Sequence, residues 1–202
     1  ISNFYLRRAR RIIPALLTLI IVIILVGLII LPPQELIKLS EHAGSSILFF
    51  SNFTYMDEAG YFDAVSINKW LLHTWSLSVE WQFYLLYPLL LKFFYILVAQ
   101  NNIYFKNLIF HILLFTVLIL LSFKSYDIKP EFAFFMLPAR AWELIAGSII
   151  FFIFKNKKIK NGLSISSSFG VISLIILSLI VDDSFDWPGT YTLLTVLATS
   201  LI

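Results

Sequence analysis

The chain has 202 residues, of which 59% are hydrophobic and 13% charged, with a formal net charge of +3 at pH 7. Because soluble domains carry about 25% charged residues, this composition excludes an ordinary soluble domain and indicates an integral membrane protein. The basic residues flank apolar runs instead of lining a polar face, so nucleic acid is not an expected partner. The absence of cysteine excludes disulfides and thiolate chemistry.

The continuous apolar runs predict an all-α fold, a polytopic bundle of transmembrane helices with five full spans and the start of a sixth. The first span, Ile12–Leu31, is uncharged and long enough to cross a hydrocarbon core of ~30 Å, and Pro32 and Pro33 end it. The later predicted segments are Ser76–Val98, Leu108–Phe123, Glu131–Phe154, Leu163–Val181 and the incomplete Thr190–Ile202.

Residues 32–75 are predicted to form a loop region on the outer side of the membrane. The cytoplasmic side is assigned from the Arg7–Arg11 cluster and the Lys155–Lys160 loop, because Lys and Arg concentrate there. Ala43–Met56 is apolar but short and interrupted by Ser and Asn, which predicts a re-entrant or interfacial segment. The chain begins at Ile1 without Met and ends inside an apolar run, so we expect a part of a longer protein.

The most informative residue is Glu80, a lone carboxylate in the apolar and aromatic run HTWSLSVEWQFYLLYP (His73–Pro88). A charged side chain near a bilayer centre costs roughly 2.5–3.5 kcal/mol, and such groups usually face a bundle interior or a water-filled cavity. Glu80 is therefore a candidate catalytic residue. The alternative is a carboxylate at the head-group level that caps the start of a helix.

A helix that starts at His73 would gather several polar side chains on one face. Steps of 100° per residue bring Glu80 and Tyr84 each within roughly 20° of His73 around the axis. Ser76 flanks the same face. A His and a carboxylate with hydroxyls nearby are suited to acid–base chemistry or to orienting a substrate. The alternative for the aromatic residues, Trp75 among them, is an interfacial belt of membrane anchors.

A charged pair lies inside the predicted span Glu131–Phe154. Arg140 and Glu143 are three residues apart, hence on one helix face and within reach of an ion pair. Pro138 is expected to open the helix nearby and to expose carbonyls that Arg140 can use. The pair is a candidate substrate contact, and the alternative is a structural pair that neutralises its own charge.

The sequence RRARR contains two overlapping Arg-x-x-Arg pairs, Arg7 with Arg10 and Arg8 with Arg11. Guanidinium groups bind phosphate through two parallel hydrogen bonds, so a cluster at the entrance of a span could hold a phosphorylated donor. The alternative is anchoring to anionic lipid, worth about 1 kcal/mol per charge.

No metal is expected. His42 and His111 have no partners nearby in the sequence and are expected to be structural. The spacing of His, Asp and Glu does not match a metal site, and there is no nucleophile elbow.

Four segments together resemble acyltransferase family 3, the bacterial membrane O-acyltransferases that modify O-antigen and other surface polysaccharides. The segments are FYLRRARRIIPALL (Phe4–Leu17), SNFTYMDEAGYF (Ser51–Phe62), LLHTWSLSVEWQFYLLYPLLL (Leu71–Leu91) and LPARAWELIAGSIIFF (Leu137–Phe152). They occur in the family's order, and the third is the most specific. The resemblance implies that residues 1–202 are part of a single ten-helix acyltransferase domain in the bacterial inner (cytoplasmic) membrane.

The resemblance also implies a reaction. An acyl group, expected to be acetyl, would pass from cytoplasmic acyl-CoA to a hydroxyl of a glycan or lipid-linked glycan at the outer side, with no bound cofactor. The implied catalytic residue is Glu80. The implied substrate-binding residues are Arg7, Arg8, Arg10, Arg11, His73, Trp75, Ser76, Tyr84, Arg140 and Glu143.

One departure from the family pattern bears on the mechanism. The family's first two helices, which carry its proposed catalytic His, are not represented in this sequence, and His73 is not expected to take that role. The alternative function is a transporter or flippase for a lipid-linked glycan, in which Glu80, Arg140 and Glu143 line a pathway. Membrane lipid is an expected partner in either case.

Overall fold

The computed structural model describes residues 2–59, 69–97, 103–154, 163–180 and 189–202. Within these ranges every regular element is an α-helix, which confirms the predicted all-α fold. The helices are α1 (Ser2–Ile30), α2 (Pro33–Ile47), α3 (Ser51–Glu58), α4 (Thr74–Leu97), α5 (Ile103–Ile128), α6 (Pro130–Phe135), α7 (Leu137–Phe154), α8 (Leu163–Ile180) and α9 (Thr190–Ser200).

Three described segments are long and apolar enough to cross a membrane, namely Ser2–Ile30, Lys106–Ile128 and Pro130–Phe154. The helix α4, although 24 residues long, is not among them. The count of five full spans and the start of a sixth therefore stays a prediction. The Lys155–Lys160 loop, on which part of the predicted orientation depends, lies outside the described residues.

The helices group into two compact units. Unit 1 contains Ile1–Leu97 together with Phe135–Leu137, and unit 2 contains Val98–Phe134 together with Pro138–Ile202. The Arg cluster and Glu80 thus belong to unit 1, whereas the charged pair predicted inside Glu131–Phe154 belongs to unit 2.

In unit 1, α2 folds back along α1. Pro33 is the first residue of α2, where its missing N–H leaves no helical hydrogen bond unmade. Gly27 on α1 permits a close approach, because a Cβ atom there would lie only 2.7 Å from Leu39 Cδ2. The buried apolar core of this unit includes Leu16, Ile20, Leu39, Ala43, Phe49 and Leu71. Part of the predicted outer loop region is therefore a helix packed on the first span.

A left-handed turn joins α2 to α3. Phe49 has a φ of 57°, a conformation that costs a bulky residue about 1–3 kcal/mol. The Phe49 ring stacks on Trp81 of α4 at 4.7 Å between centroids, and the Phe49 carbonyl accepts a hydrogen bond from Gln82 Nε2 at 3.0 Å. Contacts from α4 therefore hold this turn. The predicted re-entrant or interfacial segment, Ala43–Met56, spans the turn, and its depth in the membrane stays a prediction.

In unit 2, α8 and α9 pack closely. A Cβ atom at Gly170 would lie 2.7 Å from the carbonyl oxygen of Ala198, so this approach requires glycine. Trp142 of α7 is buried, and its ring meets Phe115 of α5 edge-on at 6.0 Å between centroids. His111 of α5 is also fully buried.

Candidate functional site

A pocket of about 500 Å³ lies between α1 and α4 in unit 1. A volume of this order is typical of small-molecule sites. The residues that line the pocket are Arg8, Arg11, Ile12, Ala15, Leu16, Leu19, His73, Thr74, Ser76, Leu77 and Glu80. Two guanidinium groups, a carboxylate and an imidazole therefore share one cavity with a row of aliphatic side chains.

The positive charge of the pocket comes from α1. Arg8 and Arg11 are three residues apart, so they project from one face of the helix into the pocket. Arg7 and Arg10 are not among the lining residues. The structure thus divides the predicted cluster into two pairs, and only the pair Arg8 and Arg11 faces the pocket.

The Glu80 carboxylate is held by contacts that reach both helices. Tyr84, one turn further along α4, donates its hydroxyl hydrogen to Glu80 Oε1. The Arg8 guanidinium lies over the Tyr84 ring, with Cζ 4.5 Å from the ring centroid, which is a cation–π contact. Arg8, Tyr84 and Glu80 therefore form one chain of contacts, and the position of the carboxylate depends on α1 as well as α4.

His73 precedes α4 instead of starting it. The helix begins at Thr74, and the His73 carbonyl accepts a hydrogen bond from Ser76 Oγ at 3.0 Å. The side chains of His73, Ser76 and Glu80 nevertheless line the same pocket. The predicted grouping of these three residues is present.

Trp75 does not belong to the pocket. Its ring packs edge-on against Phe135 at 5.3 Å between centroids. The reason is geometric, because one residue along a helix turns the side chain by about 100° away from Ser76. Substrate binding by Trp75 stays a prediction, at a position that does not line this pocket. Tyr84 is also outside the lining residues, but it reaches the pocket through Glu80.

The ion pair predicted in unit 2 is formed. Arg140 Nη2 donates a hydrogen bond to Glu143 Oε2 at 3.0 Å, and Arg140 Nε lies 2.9 Å from Glu143 Oε1. The backbone is interrupted at Met136, two residues before Pro138, and Arg140 Nη1 donates to the exposed Phe134 carbonyl at 3.4 Å. The pairing of the two side chains thus accounts for their partly buried charges. Substrate binding by Arg140 and Glu143 stays a prediction.

The sequence did not predict a second charged cluster in unit 1. His42 Nε2 lies 2.7 Å from Glu58 Oε1, and Lys69 Nζ lies 3.0 Å from Glu58 Oε2. Burial opposes ionisation of Glu58, but hydrogen bonds from His42 and Lys69 outweigh it and hold the pKa of Glu58 below its ordinary value. The three residues come from separate segments of the chain, so no local spacing could reveal the cluster. His42 thus has a partner that the sequence did not show.

The lowered pKa of Glu58 predicts an acid-sensitive contribution to stability. A carboxyl group in an unfolded chain has a pKa of about 4.3, and the folded value is lower. The ionised Glu58 therefore stabilises the fold fully above the unfolded pKa, and this contribution disappears as the pH falls through the folded pKa. Thermal unfolding in detergent should show Glu58→Gln melting below the wild type at neutral pH, with the two melting temperatures converging as the pH falls below the folded pKa of Glu58. Exposed Glu41→Gln is the control, and a Glu58→Gln deficit that persists unchanged in acid would contradict the assignment.

Comparison with known proteins identifies the family of this chain. A family model described as an acyltransferase domain matches residues 1–202. The O-acetyltransferase OatA of Staphylococcus aureus (strain NCTC 8325 / PS 47) is 32% identical over 194 residues, which cover 92% of this chain and 32% of that protein. An uncharacterized protein of Haemophilus influenzae is 30% identical over 216 residues, which cover all of this chain and 85% of that protein.

A third relative, a putative O-acetyltransferase of Staphylococcus aureus (strain COL), is 27% identical over 215 residues, which cover the whole chain and 35% of that protein. The chain thus spans about a third of the length of the two relatives that are named as O-acetyltransferases. No solved structure matches the chain. Because the family model covers every residue and agrees with the four motif segments, the chain belongs to acyltransferase family 3.

Proposed function

We propose that this protein is a membrane O-acyltransferase that moves an acyl group, acetyl by preference, from acyl-CoA to a hydroxyl of a cell-surface glycan. The observation that carries the proposal is the pocket in unit 1, where Arg8 and Arg11 meet Glu80 beside an aliphatic wall. A thioester donor with phosphate groups at one end and an apolar arm at the other has the chemistry that such a pocket recognises. The names of two relatives add support for acetyl transfer to oxygen.

The reaction is a substitution at a carbonyl carbon. The acceptor hydroxyl oxygen attacks the thioester carbonyl, a C–O bond forms, and the C–S bond breaks. The hydroxyl proton passes to a base, and the departing thiolate of CoA takes up a proton, so the overall change is one ester and one thiol for one thioester and one hydroxyl. The resemblance assigns that base to a His in the family's first two helices and not to His73.

The residues of this chain have distinct roles in the proposal. Arg8 and Arg11 hold phosphate oxygens of the donor through their planar guanidinium groups. The aliphatic residues of α1, such as Ala15 and Leu19, contact the pantetheine arm and the acyl group. Glu80, held by the Tyr84 hydroxyl, orients the reacting groups by accepting a hydrogen bond from the acceptor hydroxyl.

The proposed setting is the bacterial inner membrane, with the Arg cluster on the cytoplasmic side where acyl-CoA is made. The acceptor is a glycan or lipid-linked glycan that reaches the membrane from the outer side. The alternative function, a transporter for a lipid-linked glycan, is not favoured, because the family is one of acyltransferases.

The test is label transfer in membranes that contain the full-length protein, with the helices to which the resemblance assigns the base, because residues 1–202 alone are expected to be inactive. Acetyl-CoA that is labelled in its acetyl group should produce labelled glycan, from which mild alkali releases acetate. Acetyl-CoA labelled in its nucleotide portion should leave the glycan unlabelled, and membranes without the protein are the background control. Glycan that crosses the membrane independently of acetyl-CoA, without becoming labelled, would support the transporter instead.

A further inference from the structure

A set of polar side chains, buried except for the half-buried Gln82, fastens α4 to α2 and α3. This polar seam consists of Ser46, Ser51, Asn52, Thr74, Ser78 and Gln82. The hydroxyl oxygens of Ser46 and Thr74 are 2.7 Å apart, as are those of Ser51 and Ser78. Hydrogen bonds between side chains recur across helix pairs in membrane proteins, where few other groups specify the contact.

Asn52 of α3 contacts both α4 and the end of α6. Its side chain is fully buried, and its Oδ1 accepts a hydrogen bond from Gln82 Nε2 at 2.8 Å. Its Nδ2 donates to the carbonyl of Phe135 at 3.3 Å. Phe135 ends α6, so its carbonyl has no partner within that helix. The Asn52 amide thus donates a hydrogen bond to the carbonyl at the end of α6 and also connects α3 to α4.

Apart from Thr74, which is the first residue of α4 and also lines the pocket, the residues of the polar seam and of the pocket lie on opposite faces of this helix. Thr74, Ser78 and Gln82 are spaced by four residues and form one face of the helix. Ser76 and Glu80, also four residues apart, project in roughly the opposite direction at 100° per residue. A rotation of α4 about its axis therefore cannot keep the seam hydrogen bonds and turn Glu80 away from the pocket.

Hydrogen bonds fix this rotation in a way that apolar contacts alone do not. The remaining surface of α4 is rich in Leu and aromatic residues, which pack acceptably in more than one orientation. An amide pair is satisfied in one orientation, and the best-attested role of buried polar groups is to select a single packing arrangement.

We infer that Asn52 is a positioning residue for acyl transfer, because its hydrogen bond to Gln82 fixes the rotation of α4 that turns Glu80 into the pocket. This inference rests on the proposed function for the role of Glu80, whereas the rotation itself can be measured without any activity.

The kinetic expectation separates positioning from donor binding. Asn52→Leu keeps a similar volume but removes both hydrogen bonds. Because small displacements of a reacting group cost up to about 100-fold in rate, the kcat for acetyl transfer should fall by about 10- to 100-fold. The KM for acetyl-CoA should stay within about twofold, since Arg8 and Arg11 project from α1 and not from α4.

The rotation of α4 can be measured through the reactivity of an introduced thiol. The chain contains no cysteine, so Val79→Cys introduces a single thiol at a buried position of α4 outside the polar seam. In an otherwise unchanged protein this thiol should react slowly with N-ethylmaleimide. Adding Asn52→Leu should speed the reaction by roughly 10-fold, the change that loss of a buried hydrogen bond makes in an opening equilibrium.

Gln82→Met supplies the second variant, so the test does not depend on whether Asn52→Leu folds. It should give the same faster labelling and the same fall in kcat. The effect of the double variant should fall short of the product of the two single effects, because both single changes remove the hydrogen bond between Asn52 and Gln82. Each also removes one contact of its own, to the carbonyl of Phe135 or of Phe49. The matched control is Asn107→Leu, which removes another buried amide in α5 of unit 2 and should leave the labelling rate of the Val79→Cys thiol unchanged.

Unchanged labelling in both seam variants would overturn the inference, and so would faster labelling with an unchanged kcat. Faster labelling with a lower kcat and a constant KM supports it. A full-length wild-type protein that transfers no acetyl group would refute the proposed function, while faster labelling would still show that Asn52 fixes α4. The two failures are therefore distinguishable.

Discussion

Replacing Glu80 by Gln is expected to lower acetyl transfer by about 100-fold, the loss that misplacement of a reacting group can cause. Gln keeps the size and the hydrogen bond from Tyr84 but loses the negative charge that orients an acceptor hydroxyl. The amount of protein in the membrane should not fall, because removing a partly buried charge relieves a desolvation cost.

The measurement is acetyl transfer normalised to the amount of protein in the membrane. Glu41→Gln is the matched control, since it makes the same change at an exposed carboxylate of α2. Wild-type rates for Glu80→Gln at normal protein levels would contradict the role of Glu80. If activity and the amount of protein in the membrane fall together, the role of Glu80 is structural.

The second large effect is expected from the Arg residues that face the pocket. Arg8→Lys with Arg11→Lys keeps the charge but removes the planar forks that bind phosphate. Hydrogen bonds to charged groups contribute about 1.5–3 kcal/mol each, and roughly 1.4 kcal/mol is a tenfold change in affinity. We therefore expect the KM for acetyl-CoA to rise by about 10-fold or more.

The chain provides a control in the same turns of the same helix. Arg7→Lys with Arg10→Lys makes the same substitution at two positions that do not line the pocket. This variant should keep the wild-type KM. Equal effects of the two double variants on the KM would mean that the cluster anchors the protein to lipid and does not select the donor.

The helical fold follows from the sequence, but the arrangement of residues 33–58 does not. Continuous apolar runs can be satisfied in a bilayer only by helices, and the structure agrees. Pro33 at the first position, Glu35 in the first turn and the helical spacing of the apolar residues are typical of a helix over Pro33–Ile47, but they do not show that it packs against α1. That packing depends on Gly27 meeting Leu39 across the turn, which is a tertiary contact and leaves no local pattern.

The sequence identified Glu80 because a lone carboxylate in an apolar run is costly. It could not show which Arg residues accompany Glu80, since that depends on how α1 and α4 are aligned. In the structure Tyr5, near the start of α1, donates a hydrogen bond to the Leu85 carbonyl at 3.0 Å, and Leu19 shares the pocket with His73. The start of α4 thus lies beside the middle of α1. This alignment brings the Arg cluster and Glu80 together.

Local sequence patterns could not predict the hydrogen bonds of the polar seam either. Asn52 and Gln82 are 30 residues apart, and each is an ordinary polar residue in its own segment. The family motif SNFTYMDE marked the segment but not the partner of Asn52. Contacts of this kind become visible only when α3 and α4 are placed side by side.

The most direct test of the central claim asks whether the donor enters the pocket between α1 and α4. Ser76→Cys places a single thiol in the pocket lining of this cysteine-free chain. The probe is an acetyl-CoA analogue in which a methylene group replaces the thioester sulfur, so that it binds without transferring its acyl group. The rate of labelling by N-ethylmaleimide should fall with occupancy, by about 10-fold at ten times the Kd, and protection should need more analogue in the Arg8→Lys, Arg11→Lys background. A labelling rate that the analogue leaves unchanged, at concentrations that inhibit acetyl transfer, would show that the donor binds elsewhere.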